Sequence, residues 1–288
     1  MNIRLETPED YREVEELTRE AFWNVYAPGC VEHFVLHHYR STPDFIPELD
    51  FVMEEDGRII GHVMYSKAEI IREDGSVMPA WTFGPISIHP DYKRKGYGLK
   101  LLNYSIEKAR EMGIGVLCME GNIEFYKHAG FVLASSLNIH YHAEPKESEV
   151  PYFLAQELIP GYLDGVEGTY HTPKGYFAAD DNPEDFEKYE ATFPAKEKHF
   201  QEGQLSQFCQ SCGMPMKSDD VCGTDADGSA NFDYCKYCYQ NGEFIDNVSM
   251  EEYIEMCSQF GDQAGMSSGQ MREHCKKLFP MLKRWRRK

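Results

Sequence analysis

The stretch that decides the fold is Phe83-Gly84-Pro85-Ile86-Ser87-Ile88-His89-Pro90-Asp91-Tyr92-Lys93-Arg94-Lys95-Gly96-Tyr97-Gly98. It reads as a buried strand, a turn marked by Pro90, and a basic loop with two spaced glycines. The loop opens onto an amphipathic helix predicted over Leu99 to Met112. A loop of this kind turns several backbone N–H groups inward at a helix start, where the helix dipole favours an anion. Gly96 and Gly98 would let the backbone approach a ligand closely. Lys93, Arg94 and Lys95 would add positive charge, so the loop reads as a diphosphate cradle. A G-x-G after a strand is common in α/β proteins, and the neighbouring residues must carry the rest.

Upstream, Asn2 to Thr7 is a strand candidate. Thr7-Pro8-Glu9-Asp10 starts a helix, with Thr7 as the expected cap, and Val14, Leu17, Ala21 and Phe22 follow at helical spacing. A second helix is expected over Val31 to Tyr39. Three β-rich runs come next: Leu49 to Glu54, Arg58 to Ile71 and Val77 to His89. The turns Asp56-Gly57 and Asp74-Gly75 make them an antiparallel meander. Downstream, Gly113 to Met119 is a buried strand. A short helix ends at Gly130, and a strand is expected from Phe131 to Tyr141.

This order, with two motifs, resembles the GNAT superfamily of acetyl-CoA-dependent N-acetyltransferases. One motif is Lys93-Arg94-Lys95-Gly96-Tyr97-Gly98, where Lys93 stands in place of the family's Gln or Arg. The other is Tyr126 followed by Gly130-Phe131, a Tyr-x-x-x-Gly-Phe signature. The resemblance implies a mixed α/β (α+β) central sheet flanked by helices. It implies that the backbone of Ile86, Ser87 and Ile88 pairs with the pantetheine arm of acetyl-CoA, and that the amides of Lys93, Arg94, Lys95, Gly96, Tyr97, Gly98 and Leu99 hold its pyrophosphate. It also implies direct attack by an amine, with Tyr126 protonating the leaving thiolate. Glu120 is the catalytic base candidate; Glu32 and His33 are alternatives. The acceptor is a small-molecule or peptide amine, and the segment around Trp23, Asn24 and Tyr26 is expected to border its pocket. Cys30, His33 and His37 have spacing that admits a metal, with ordinary helix packing the competing reading.

The chain has 288 residues, 42% hydrophobic content and a net charge of −19. That suits a globular protein, agrees with a cationic substrate and argues against general nucleic-acid binding. No apolar run approaches a membrane span, and Met1 to Tyr11 lacks the pattern of a signal peptide, so a cytoplasmic location is expected. Seven of the nine cysteines follow Phe200, which points to a local metal site rather than a disulfide framework.

That site is legible. Cys209-x-x-Cys212 and Cys235-x-x-Cys238 are separated by 22 residues. Two such knuckles close a tetrahedral four-thiolate site, typical of structural Zn2+. Thr224 to Ser229 provides the hairpin turn between them, and Cys222 is a third nearby thiol that either packs or substitutes as a ligand. Residues 209–244 resemble a zinc-ribbon family with the pattern Cys-x-x-Cys-Gly-Met-Pro-Met … Tyr-Cys-x-x-Cys-Tyr. Ser249 to Glu252 begins a capped helix and Met271 to Leu278 another. Residues 276–288 hold seven basic side chains and no acid, which reads as an end docked on an acidic body or as a nucleic-acid contact.

The expected organisation is a GNAT core at 1–145, an extension completing the sheet and a linker at 146–205, and a zinc ribbon with C-terminal helices at 206–288. Two functions compete: an N-acetyltransferase, or a CoA-binding scaffold or sensor whose ribbon recognises protein or nucleic acid.

Overall fold

The computed structural model describes residues 1–199, 208–216, 219–261 and 266–286. The expected linker, Glu197 to Ser206, lies mostly outside them. The chain divides into two compact units: Met1–Val25 with Gly29–Lys198, and Tyr26–Pro28 with His199–Lys288.

The first unit begins with β1 (Asn2–Leu5), α1 (Tyr11–Phe22) and α2 (Glu32–Tyr39). Val14, Leu17 and Ala21 form the buried stripe of α1. Thr7 does not cap this helix. Its N–H and hydroxyl both donate to the carboxylate of Asp10, each at 2.8 Å, and Asp10 occupies the N-cap position. The meander follows as β2 (Phe51–Glu55), β3 (Arg58–Arg72) and β4 (Val77–Ile88). Asp56 and Gly57 both take positive φ in the first turn, as a type I′ hairpin requires. Then come α3 (Tyr97–Glu111), β5 (Val116–Glu120) and the short α4 (Ile123–Tyr126), capped by Asn122 Oδ1 accepting from the Glu124 N–H at 2.9 Å.

The strand expected from Phe131 to Tyr141 is broken. β6 (Val132–Leu133) gives way to a 3-10 turn at Ala134–Leu137 and then to β7 (Ile139–Tyr141). Asn138, at φ 57°, ends the turn in the left-handed region, which Asn tolerates. The break lets the two halves pair differently: β6 with β8 (Phe153–Glu157), and β7 with β9 (Gly168–His171). The sheet order is β1-β2-β3-β4-β5-β8-β6, with β9 pairing β3 and β7. Helices α5 (Ala178–Asp181) and α6 (Pro183–Glu190) follow.

Strand alternation gives this sheet two buried faces. Under α3 lie Leu101, Leu102, Ile106, Tyr65, Phe83, Leu117 and Phe131. Opposite, β3 sends Met64 toward α1 and α2, and Ala68 and Ile70 into a cluster with Cys118, Phe153, Tyr141 and Tyr170.

The second unit holds two small hairpins, β10 (Cys222–Thr224) with β11 (Ala230–Cys235) and β12 (Tyr239–Gln240) with β13 (Glu243–Phe244). Helices α7 (Met250–Ser258) and α8 (Ser268–Leu278) both start with complete capping boxes, at Ser249 with Glu252 and at Ser267 with Gln270. Its core is cysteine, Tyr253, Ile254, Phe279 and Leu282.

Candidate active site and metal centre

β4 and β5 run parallel but register at one pair only, Trp81 with Leu117. Beyond it they part. The other edge of β4 is satisfied by β3, where Ile86, Ser87 and Ile88 lie opposite Val63, His62 and Gly61. The cleft-facing edge of β4 therefore offers backbone groups to a ligand. Ser87 is buried, and its hydroxyl shares a 2.9 Å hydrogen bond with that of Thr18 on α1.

The cleft leads to the start of α3. Tyr97, Gly98 and Leu99 are first-turn residues, whose amides have no acceptor within the helix. Among the described residues, the N–H groups of Arg94, Lys95 and Gly96 make no backbone hydrogen bond. The two glycines differ in kind. Gly96 sits at φ 82°, which L side chains adopt at a cost. Gly98 has ordinary φ, and a Cβ there would make normal contact with Phe125 and Ile88, at 3.5 and 3.6 Å. Lys93 departs from expectation. Its N–H donates to Pro90 O, and its Nζ donates to Ala21 O at 2.7 Å. It braces the loop against α1, while Arg94 and Lys95 remain exposed.

Tyr126 closes the lower side of the cleft. Its ring packs on Phe83 of β4, Phe125 and Phe131, with centroids 5.9, 4.9 and 5.8 Å away. Gly121, just past β5, makes room for it: a Cβ there would stand 2.4 Å from Tyr126 Cε2.

Glu120 ends β5 on the opposite face, the face of Cys118. Its side chain is exposed, and Oε1 accepts from Tyr141 Oη at 2.9 Å and from Thr172 Oγ1 at 3.0 Å. Sequence reasoning missed both partners, because only the pairing of β7 with β9 brings them to the end of β5.

The other candidates go elsewhere. His33 is fully buried; Glu190 meets its Nε2 at 2.8 Å, and Cys30 Sγ lies 3.5 Å from its Nδ1. His37 is bonded to Glu15, so Cys30, His33 and His37 do not converge on one point. Burial raises the pKa of Glu32. Trp23 Nε1 and Asn24 Nδ2 both donate to Glu197 O, at 2.9 and 3.1 Å, so the chain before Lys198 lies across the end of α1. A cavity of about 370 Å³ opens on this flank, between α1, His89 and Phe193.

In the second unit, Cys209, Cys212, Cys235 and Cys238 bring their sulfurs within 4.8 Å of one another. Cys212 and Cys235 are 3.8 Å apart, and Cys235 and Cys238 3.4 Å. Zn–S bonds of about 2.3 Å in a tetrahedron place sulfurs about 3.8 Å apart, so the donor set fits zinc. The Cys209–Cys212 contact pulls the Cys209 thiol well below the usual range and pushes Cys212 well above it, which favours thiolate at one sulfur. The Cys235 N–H donates to Cys209 Sγ at 3.2 Å, and Tyr253 Oη lies 3.1 Å from Cys238 Sγ. Such contacts orient ligands and hold charge. Cys222 stands opposite Cys235 on β10, outside the four-sulfur group.

The basic C-terminal segment folds onto the first knuckle. Trp285 Nε1 donates to Ser211 O at 2.7 Å, Arg284 N–H to Gln210 O at 3.1 Å, and Arg284 Nη2 to Asp246 at 2.5 Å. Lys276 pairs with Glu273, and Lys283 with Asp233. Arg287 and Lys288 lie outside the described residues.

Comparison with known proteins agrees with this geometry. Residues 11–131 match the family described as "Acetyltransferase (GNAT) family", and residues 208–286 match "Putative zinc ribbon domain". An uncharacterized N-acetyltransferase, YjhQ of Escherichia coli K12, is 27% identical over 85 residues, covering 30% of this chain and 46% of that protein, so the match spans about half the relative's length. The crystal structure of the GNAT family N-acetyltransferase YhbS from Escherichia coli, in complex with CoA, is similar in fold: TM-score 0.53, 22% identity, over 61% of this chain and 91% of that one. A GNAT family acetyltransferase from Brucella melitensis in complex with acetyl-CoA aligns with TM-score 0.48 and 24% identity over 61% and 97%. No helix among the described residues is long and apolar enough to cross a membrane. The chain thus carries a GNAT-family acetyltransferase domain over residues 11–131 and a zinc ribbon domain over residues 208–286.

Proposed function

We propose that the first unit transfers an acetyl group from acetyl-CoA to the amine of an acceptor. The observation that carries this reading is continuity. The unpaired edge of β4 past Trp81 runs straight into the uncommitted amides at the start of α3, with Tyr126 packed between the two strand ends. Acetyl-CoA would supply the activated acyl group when bound; the Escherichia coli structure of similar fold is in complex with CoA.

The chain's own residues then have distinct tasks. The backbone of Ile86, Ser87 and Ile88 holds the extended arm by strand-like pairing. The amides from Arg94 to Leu99 hold the pyrophosphate, with Gly96 shaping the turn and Lys93 bracing it. The amine attacks the acyl carbonyl, and the carboxylate of Glu120 takes its proton. Tyr126 gives its hydroxyl proton to the departing sulfur, a contribution of about 10²–10⁴ in rate for general acid catalysis. Bound zinc would hold Cys209, Cys212, Cys235 and Cys238 together and supply folding energy to a domain with little core of its own.

The test is release of free thiol from acetyl-CoA across polyamines, aminoglycosides, amino acids and peptides, with mass spectrometry of the products. Thiol release matched by an acetylated amine supports the reading. Tight CoA binding with no release from any acceptor replaces it with a CoA-binding scaffold or sensor.

A further inference from the structure

Between α1, α2 and α6 stands a second constellation, none of whose residues lies on β4, β5 or the loop at Lys93. Cys30 Sγ is 3.5 Å from Nδ1 of His33, and Nε2 of the same ring is 2.8 Å from Glu190 Oε2. Arg19 grips that carboxylate in turn, its Nε 3.1 Å and its Nη2 2.5 Å from Oε1. Thiol, imidazole and carboxylate form a chain, each within hydrogen-bond reach of the next. That is the order in which a nucleophile, its base and the group that orients the base must stand.

Each link is fixed by its surroundings. His33 is 0% exposed and walled by Phe193, Tyr189 and Phe186, with ring centroids 5.1, 5.5 and 6.1 Å away. Against burial, Arg19 and His33 hold the Glu190 carboxyl below its ordinary range, so it is ionised and only accepts. The ring proton therefore sits on Nε2, and Nδ1 turns its lone pair to the thiol. Cys30 follows a turn closed by two hydrogen bonds, Asn24 N–H to Gly29 O at 2.8 Å and Gly29 N–H to Asn24 Oδ1 at 2.7 Å. The thiol is only partly buried, which leaves it open to a small reagent. The Lys198 stem passes beside Gly29, with Cε 3.2 Å from where a Cβ would stand.

The resting protonation states agree with this order. Burial lowers His33 to about 4, so the ring is a neutral base near pH 7. Burial, with the charges of Glu32 and Glu190, pushes the Cys30 thiol well above its ordinary range, and Arg19 and Lys196 oppose it. A protonated thiol thus faces a neutral imidazole. The sulfur becomes nucleophilic only as the ring takes its proton, which is general-base activation and not a standing thiolate.

We propose that Cys30, His33 and Glu190 form a second nucleophilic site, at which Cys30 takes the acyl group of a small activated ester or thioester. The Cys30 Sγ–acyl carbon bond forms as the ester C–O or thioester C–S bond breaks. The thiol proton passes to His33 Nδ1 and then to the leaving group or to water, and the imidazolium formed in between is paired with Glu190. Water attacking the S-acyl group afterwards returns the thiol and releases the acid. Glu190 is a positioning residue, acting through the ring. The site goes beyond acetyl transfer in the cleft and does not depend on it.

The probe is 4-nitrophenyl acetate with the full-length, zinc-loaded chain. Nitrophenolate release is followed by stopped flow, and acetylated Cys30 is quantified by peptide mass spectrometry. One acetyl group on Cys30 is expected, formed at a rate that stays flat from about pH 6 to about pH 8.5, because both base and thiol keep one protonation state over that range. His33→Gln should slow acetylation of Cys30 by about 10²-fold or more and make the remainder rise tenfold per pH unit, as a bare thiolate reaction does. Should that variant fail to fold, Glu190→Gln keeps an acceptor for the ring and should still slow it about tenfold or more, with the flat profile retained. A merely structural brace would lower the urea midpoint in both variants and leave the pH profile of Cys30 acetylation alone. No acetyl group on Cys30, a wild-type rate that rises tenfold per pH unit, or equal rates in wild type and both variants overturns the site. The ester needs no CoA cradle, so the site and the acetyl-transfer reading fail separately. Labelled Cys30 with no acetylation of any amine from acetyl-CoA keeps the site and removes that reading.

Discussion

Gly121→Ala is a small change with a large expected effect, because Gly121 is the floor on which the Tyr126 ring rests. A Cβ there would lie 2.4 Å from Cε2 and 2.9 Å from Cδ2 of Tyr126, and 2.9 Å from Met119 Cε. Carbon contacts relax near 3.5–4.0 Å, so the ring must retreat by about 1 Å or more. Retreat is blocked by Phe83, Phe125 and Phe131, which pack around the same ring. Overpacking of this kind costs about 1–3 kcal/mol. For a unit of this size that is a fall in Tm of about 2–12 °C, read as the transition of the first unit by calorimetry. The catalytic consequence follows from the same displacement. If Tyr126 is the acid proposed above, a donor moved by about 1 Å leaves hydrogen-bond reach, so thiol release at saturating acetyl-CoA should fall toward the Tyr126→Phe level, with CoA affinity little changed. The double variant Gly121→Ala, Tyr126→Phe should then be no slower than the worse single variant, since both remove one function. Full turnover in Gly121→Ala beside a slow Tyr126→Phe, or additive losses in the double variant, would refute the reasoning.

Three further outcomes are expected. Cys235→Ser should abolish zinc retention, measured by elemental analysis after dialysis, and remove the far-UV signal and cooperative unfolding of the second unit; zinc content equal to wild type sinks the four-thiolate site. Trp285→Ala, which frees the Ser211 carbonyl within the first knuckle, should lower zinc affinity by about 10–100-fold, the usual effect of losing a contact that orients ligands, read by chelator competition. His33 gives a pH signature. Burial, opposed by Glu190, lowers its pKa from 6.5 to about 4, so as pH falls the unfolded chain takes up a proton before the folded one. The stability present above pH 6.5 is lost progressively toward pH 4, with a slope of up to about 1.4 kcal/mol per pH unit from this one group. His62 contributes in the same direction, and Glu6, raised to about 8 by burial, opposes both between pH 4.5 and 8. The difference between wild type and His33→Gln in urea midpoints from pH 7 to pH 4.5 isolates the term; parallel curves would show that His33 does not titrate with unfolding.

What was legible in the sequence was what short-range chemistry dictates. Asp56-Gly57 turned the meander, Gly96 took the left-handed conformation at the loop, Gly130 closed the 3-10 turn Lys127–Ala129 that follows α4, and the two cysteine pairs met in space. What was not legible depends on pairing between distant segments. Nothing local told that Ala134 to Asn138 would interrupt a strand, since the interruption is stabilised by β6 and β7 choosing different partners. The engagement of Lys93 by Ala21, 72 residues away, was equally hidden, as were the hydroxyls on Glu120. Trp23 and Asn24 read as pocket lining by analogy, but bond instead to the carbonyl of Glu197. The basic end read as either a nucleic-acid contact or a docked tail; Lys276, Lys283, Arg284 and Arg286 hold acids and carbonyls of the ribbon.

Tyr141 and Thr172 lie beyond residue 131, where the match to the acetyltransferase family ends, whereas the loop at Lys93 to Leu99 and Tyr126 lie inside it. On the acetyl-transfer reading proposed above, the residues assigned to the donor and the hydroxyls that fix Glu120 thus lie on separate lengths of chain. Residues 132–172 can then be replaced as a block without touching the loop at Lys93 to Leu99 or Tyr126, which makes that span the natural unit to exchange in a chimaera.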